Sequence, residues 1–368
     1  MTLLRFAKKN AVLCIATLLA ALTCFLVPPD AAYGSYFDLK TLTCLFLTLA
    51  VVCALRNIRF FTILARRIVL MTGNLRTLAL TLVVITFLGS MLIANDMALI
   101  TFLPLGYFAL SVAKMEEHSA LLFILQNISA NLGGMLTPFG NPQNLYLYTA
   151  FHIPTGEFIR IMLLPFLVSV GLLCGCCLFF PKRSLQLKDS FQDRLDRPKT
   201  AFYLVLFALS ILIVFRVFPY WLGLLVIPAL IAWKDRSALK AVDYGLLLTF
   251  VMFFIFSGNL ARLEPVKAFF AQVLEKNALL VSAGCCQVIS NVPTAILLSK
   301  FTDNYHPLLL GVNVGGTGTL IASLASLITF SEFRILYPGQ TKRYLALFTL
   351  INLAFLGILL GFCYFLTA

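Results

Sequence analysis

Two short polar motifs stand inside stretches that are otherwise apolar, Ala94-Asn95-Asp96 and Ser290-Asn291-Val292. An Asn amide offers both donors and acceptors to an ion or a solute. A carboxylate at membrane depth costs about 2.5 to 3.5 kcal/mol on insertion scales, so Asp96 is expected to bind a cation or cycle a proton. It would repel an anionic solute unless sodium or a proton neutralised it, which points to a coupling role. Helix capping is the competing explanation, because Asn and Asp are favoured at helix starts. A third motif, Thr137-Pro138-Phe139-Gly140-Asn141-Pro142-Gln143-Asn144, joins Pro and Gly to side-chain amides. Pro removes a backbone donor and Gly permits a turn, so a helix breaks here with Gln143 and Asn144 after the break. Its counterpart, Thr319 to Ser326, carries Ser323 and Ser326 at the matching positions. It has no Pro and is expected to break less sharply. The candidate binding set is therefore Asn95, Asp96, Thr137, Asn141, Gln143, Asn144, Ser290, Asn291, Thr319 and Ser323. Sodium is expected near Asn95, Asp96 and Asn291, and no resident metal or organic cofactor is expected. Cys174-Gly175-Cys176-Cys177 has no His nearby and reads as packing, and His118, His152 and His306 fall at segment ends.

The elements that position these residues are transmembrane. Of 368 residues, 61% are hydrophobic and 12% charged, where a soluble domain sits at roughly half and a quarter. Mean hydropathy is +0.96. Full crossings are expected at 11–28, 37–55, 119–149, 156–180, 201–217, 219–233, 243–259, 308–330 and 344–366. The run at 11–28 follows Lys8 and Lys9 as a signal peptide would, but it is long and lacks a small-residue cleavage site, so it is read as an uncleaved first helix. The segments 78–110 and 278–300 each carry a polar tip at their middle, which fits a re-entrant helical hairpin. The segment 58–72, with Arg59, Arg66 and Arg67, is expected to lie flat on the cytoplasmic surface. Asp38 and Asp243 begin helices and cap them.

The net charge of +13 does not point to nucleic acid, because the basic residues sit in short segments between apolar runs. With the N-terminus in the cytoplasm, Lys40, Arg160, Arg216, Arg262, Lys267, Lys276 and Lys300 fall outside. The rest of the 28 Lys and Arg residues, among them Arg5, Lys8, Lys9, Lys188 and Arg194, fall inside. That bias follows the positive-inside rule and puts the C-terminus outside.

Asn131-Leu-Gly-Gly-Met-Leu-Thr137 aligns with Asn313-Val-Gly-Gly-Thr-Gly-Thr319, and an Asn tip lies upstream of each. The chain thus reads as a first repeat at 1–180, a cytoplasmic loop and linking helix at 181–217, and a second repeat at 218–368. The linking helix inverts the second repeat. Inverted repeats with interrupted helices are a signature of secondary transporters, whose site forms near the midplane. Small residues placed for helix packing alone are the plainer alternative. No Walker-type loop, buried Ser–base pair or His-Glu-x-x-His helix is present, so ATP use and intramembrane hydrolysis are not expected.

At Ala94-Asn95-Asp96-Met-Ala-Leu with Pro104 following, Gly140-Asn-Pro-Gln-Asn144 and Ser290-Asn291-Val292-Pro293-Thr294, the chain resembles the ion-transporter superfamily. It is most similar there to citrate-transporter-like permeases of the inner membrane, and also resembles divalent-anion/sodium symporters and arsenite-efflux permeases. The resemblance implies a small anionic substrate of di- or tricarboxylate type, sodium or proton coupling, and a possible homodimer. In the dicarboxylate symporters each tip reads Ser-Asn-Thr. Here both Asn residues and Ser290 match, both Thr hydroxyls are missing, and Asn95-Asp96 is closer to the arsenite and sodium/proton branches. Metalloid efflux or sodium/proton exchange is therefore the alternative.

Overall fold

Apolar runs bounded by Asp, Asn or Pro fold as helices throughout the described residues, 11–185 and 195–367 of a computed structural model. Arg5, Lys8, Lys9, Lys188 and Arg194, assigned above to the cytoplasmic side, lie outside these residues. Among the described residues there is no β-strand, and an isolated bridge joins Asn74 to Ser184. Eight helical stretches are long and apolar enough to cross a membrane, so the chain is an all-helical integral membrane protein.

In the first half, α1 (Ala11–Leu26) buries Ala16, Ala20 and Thr23. At 16 residues it is shorter than the expected span. Asp38 starts α2 (Leu39–Asn57) as expected, its carboxylate accepting the Thr41 N–H. The short α3 (Phe60–Leu70) turns Phe61, Ile63, Ala65 and Val69 inward. Asn74 and Thr77 form a capping box that starts α4 (Leu75–Leu92). Two residues later α5 (Asn95–Val112) begins, with Pro104 inside it. The expected hairpin at 78–110 thus consists of two 18-residue helices, each long enough for a full crossing. The expected crossing at 119–149 is divided into α6 (Ser119–Gly133), a 3-10 turn at Gly134–Leu136, and α7 (Pro142–Ala150). Pro142 occupies the first helical position of α7, where its missing N–H costs nothing. Then comes α8 (Thr155–Cys177).

The second half opens with α9 (Arg197–Val214), capped by Asp196, then α10 (Tyr220–Lys234) and the short α11 (Arg236–Lys240). Asp243 caps α12 (Tyr244–Ala261) through the Leu246 N–H. The long α13 (Glu264–Ile289) is kinked at Asn277, whose backbone is not helical. Asn277 Oδ1 accepts the Leu280 N–H and so restarts the helix at the place where the second polar segment was expected to begin. Its partner α14 (Asn291–Leu298) has only eight residues. The expected crossing at 308–330 divides into α15 (Tyr305–Val314) and α16 (Leu324–Leu336), and α17 (Thr341–Thr367) closes the chain. The second break was expected to be the softer one and is not. Residues 315–323 belong to no helix, and Gly318 takes a φ of +112°. That conformation does without Pro because Gly supplies the left-handed torsion directly.

α4 and α5 pack on α6, and α13 and α14 pack on α15. α7 meets α14 and α15, and α16 meets α5 and α6, so each broken helix is clasped by the other half. α9 and α10 lean on α2, and α1 leans on α12. Contacts also sort the ends of the helices into two groups. Arg183 pairs with Glu117, Arg76 Nε donates to the Phe180 carbonyl, and Asn57 donates to Asp235. Separately, Arg262 pairs with Asp30, and Arg216 donates to the Tyr148 carbonyl. No group expected on one side touches a group expected on the other in these pairs.

Candidate solute and ion site

Buried amides and hydroxyls collect around the two breaks. Asn95 is the first residue of α5 and is 5% exposed. Its Nδ2 donates to Asn131 Oδ1 at 3.1 Å, and its Oδ1 accepts the Asp96 N–H at 3.0 Å. Asn291 stands identically at the start of α14, its Oδ1 accepting the Val292 N–H at 2.9 Å. Each Asn therefore satisfies one of the orphan N–H groups of its own helix start, and the capping explanation is correct to that extent. A carbonyl oxygen has a second lone pair, so the same atoms can also face an ion.

Capping does not account for Asp96. The cap position of α5 is Ala94, and Asp96 lies inside the first turn. Its Oδ1 is buried with no hydrogen-bond partner among the described residues. The first turn places it at the partial positive end of α5, and the unpartnered oxygen is open to a cation or proton.

One contact recurs in both breaks. Thr137 Oγ1 donates to the Met91 carbonyl at 2.8 Å, and Thr319 Oγ1 donates to the Gln287 carbonyl at 3.0 Å. Met91 and Gln287 each lie four residues before a tip Asn. In the first break Asn141 Nδ2 donates to the Asn131 carbonyl, and Asn144 Nδ2 reaches the carbonyls of Gly134, Met135 and Thr137. These bonds replace those lost where the helix stops. A methyl group at Gly134 would meet Asn141 Oδ1, so a side chain there would displace the amide that holds this fold-back. In the second break Gln287 takes over the same task, donating to Gly315 and Thr317 carbonyls and accepting the Thr319 N–H.

Ser290 holds a backbone conformation of φ 73°, ψ 159°. Its hydroxyl lies 3.3 Å from the Ala322 carbonyl and 3.4 Å from Asn291 Oδ1. The Asn291 N–H also donates to Ala322, tying the tip to the second break. Ser323 caps α16 through the Ser326 N–H.

Four bonds cross between the two broken helices. Asn313 Nδ2 donates to Asn144 Oδ1 at 2.6 Å, with Gln143 Nε2 3.4 Å from Asn313 Oδ1. Asn127 Nδ2 donates to Ser326 Oγ at 3.2 Å and its Oδ1 accepts from Thr329. All ten sequence candidates thus lie at the tips or the breaks. Asn127, Gln287 and the side chains of Asn131 and Asn313 were missed as participants. Asn131 and Asn313 served only to align the repeats, and the signal for the others was available, since an amide inside an apolar helix is rare. Asn141 Oδ1 and Gln143 Oε1 are buried and unpartnered among the described residues, like Asp96 Oδ1.

Long apolar helices enclosing a buried polar centre at two helix breaks are the arrangement of a polytopic membrane transporter. The chain belongs to the citrate transporter family, whose pattern matches residues 2–307. It is 32% identical over 291 residues to the uncharacterized transporter MJ0456 of Methanocaldococcus jannaschii, covering 79% of this chain and 80% of that one. It is 32% identical over 280 residues to the inner membrane protein YbiR of Escherichia coli, covering 73% of each. A shorter likeness, 33% over 147 residues, links it to the silicon efflux transporter LSI3 of rice, covering 40% of this chain and 30% of that one.

Proposed function

We propose that the chain is a secondary active transporter that moves a small anion of di- or tricarboxylate type by alternating access, coupled to sodium or protons. The carrying observation is that four helices, α5, α7, α14 and α16, begin at the polar centre, while no Lys or Arg belongs to the candidate set. Helix N-termini present N–H groups and partial positive charge to an anion. The anion is met by backbone and amides, and Asp96 holds the coupling cation that offsets the remaining charge. In this reading residues 1–180 and 218–368 are inverted repeats joined through 181–217. The α4–α5 and α13–α14 pairs are re-entrant hairpins, and the match of Thr137 to Thr319 contacts supports that symmetry. The charge bias supports an N-terminus in the cytoplasm and a C-terminus outside, and the likeness to an inner membrane protein supports a bacterial inner membrane.

A second reading is favoured by the same lack of cationic side chains and by the likeness to a silicon efflux transporter. In it, the solute is a neutral hydroxylated acid such as arsenous or silicic acid, or the cycle exchanges sodium for protons. Purified protein in liposomes separates the two. Labelled citrate and succinate uptake that saturates and follows an imposed sodium or proton gradient supports the anion. Uptake of the neutral acid alone, or cation exchange with no carboxylate flux, selects the second reading.

A further inference from the structure

A cavity of about 390 Å³ lies away from the polar centre, between residues 35–40, the end of α7 and Lys300. Its walls bring together Lys40, Lys300 and His152 with one carboxylate, Asp38. That carboxylate is already engaged, Oδ1 accepting the Thr41 N–H at 2.9 Å and Oδ2 the Thr41 hydroxyl at 2.5 Å. Its charge still faces the cavity, so two ammonium groups stand against one carboxylate and the lining keeps an excess of positive charge.

The cavity is connected to the centre by two helices. α7 and α14 both begin at the polar centre, at Pro142 and Asn291, and pack against each other. Both end at this cavity. With 9 and 8 residues, they separate cavity and centre by about 12 to 14 Å at 1.5 Å per residue. Tyr146, 2% exposed, closes the inner end, its hydroxyl 2.8 Å from Ser299 Oγ. Lys40 and Lys300 were both expected on the outer side from charge counting alone.

We propose that this cavity is a vestibular site for anions, in which Lys300 and Lys40 hold the carboxylate groups of the solute before it passes Tyr146 to the polar centre. The proposal rests on the anion-transport reading. A cleft whose lining carries an excess of one sign of charge concentrates ions of the opposite sign. Lys300 also follows the C-terminus of α14, where a cation suits the helix dipole. A purely structural role of that kind would lower thermal stability and leave solute affinity alone.

The test has two arms. In the first, Ser35→Cys places a thiol in the cavity wall, and its labelling by anionic and cationic methanethiosulfonates is followed by peptide-resolved mass spectrometry, which separates it from the native cysteines. The anionic reagent is expected to react faster, and Lys300→Gln or Lys40→Gln to cut that preference about threefold to tenfold. Millimolar citrate should slow the labelling. In the second arm, Lys300→Gln raises the KM for carboxylate uptake by a similar factor with little change in kcat, and Lys300→Arg restores it. Carboxylate uptake by the wild type together with a labelling preference that ignores Lys300→Gln overturns the vestibule and leaves the transport reading standing. A preference that follows the lysines without carboxylate uptake keeps the anion cavity and removes carboxylates as the transported solute.

Discussion

Asn95 and Asn291 each spend one oxygen lone pair on their own helix and keep the rest of the amide for a neighbour or ligand. Polar bonds between membrane helices average about 0.6 kcal/mol, so Asn95→Ala and Asn291→Ala should leave the fold intact. On the proposed reading their uptake in liposomes should nonetheless fall at least about tenfold, because truncation removes a group offered to the solute. Asp96→Asn preserves shape and removes the charge. Exchange of solute across the bilayer should persist in that variant, while accumulation driven by an ion gradient is lost; unchanged accumulation would free Asp96 of any coupling role. Gln287 differs in kind, because one side chain serves two carbonyls of the second break and one N–H. Gln287→Ala should lower stability by about 1 to 3 kcal/mol through the groups left unpaired, seen as an earlier thermal transition in detergent.

At the scale of elements, close approach sets the tolerances. α13 and α15 touch where Gly311 faces Ser282, and a methyl group there would run into the Ser282 hydroxyl and the Leu279 carbonyl. Gly311→Ala should push the helices apart and reduce both stability and uptake, and Ser282→Ala should restore part of the loss, with the Leu279 carbonyl limiting the rescue. Uptake equal to wild type in Gly311→Ala would show the contact to be slack. Most of this architecture was legible beforehand. The caps at Asp38 and Asp243, the first break at Pro138 to Pro142 and the restart near 278 all follow from residues whose backbone preferences are strong. The depth of the second break was not legible, since a single Gly318 and a cradle built by Gln287 replace the proline signal. Nor were the bonds joining Asn144 to Asn313 and Asn127 to Ser326, because a pairing between distant segments leaves no local pattern. The unequal lengths of α5 and α14, 18 residues against eight, were implied by the expected ends at 110 and 300.

At the scale of the molecule, ties between halves decide how the two move. Arg262 forms a two-pronged pair with Asp30 at 2.7 and 3.1 Å and also donates to Tyr36, fastening the α1–α2 connection to the end of α12. The guanidinium holds the Asp30 carboxyl below its usual range. A lowered folded-state pKa means the tie contributes above the ordinary carboxylate value of about 3.9 and disappears as pH falls through the folded value. Wild type and Asp30→Asn should therefore differ in melting temperature at neutral pH and converge in strong acid; a difference that survives there would assign the effect to packing. Ser290 has a different consequence. Its torsions belong to a region that only glycine occupies at ease, and a side chain held there stores about 1 to 3 kcal/mol. Glycine at this position would relax the tip and free it. The protein would then be expected to melt no earlier than wild type yet transport more slowly, an exchange of robustness against turnover located in one residue.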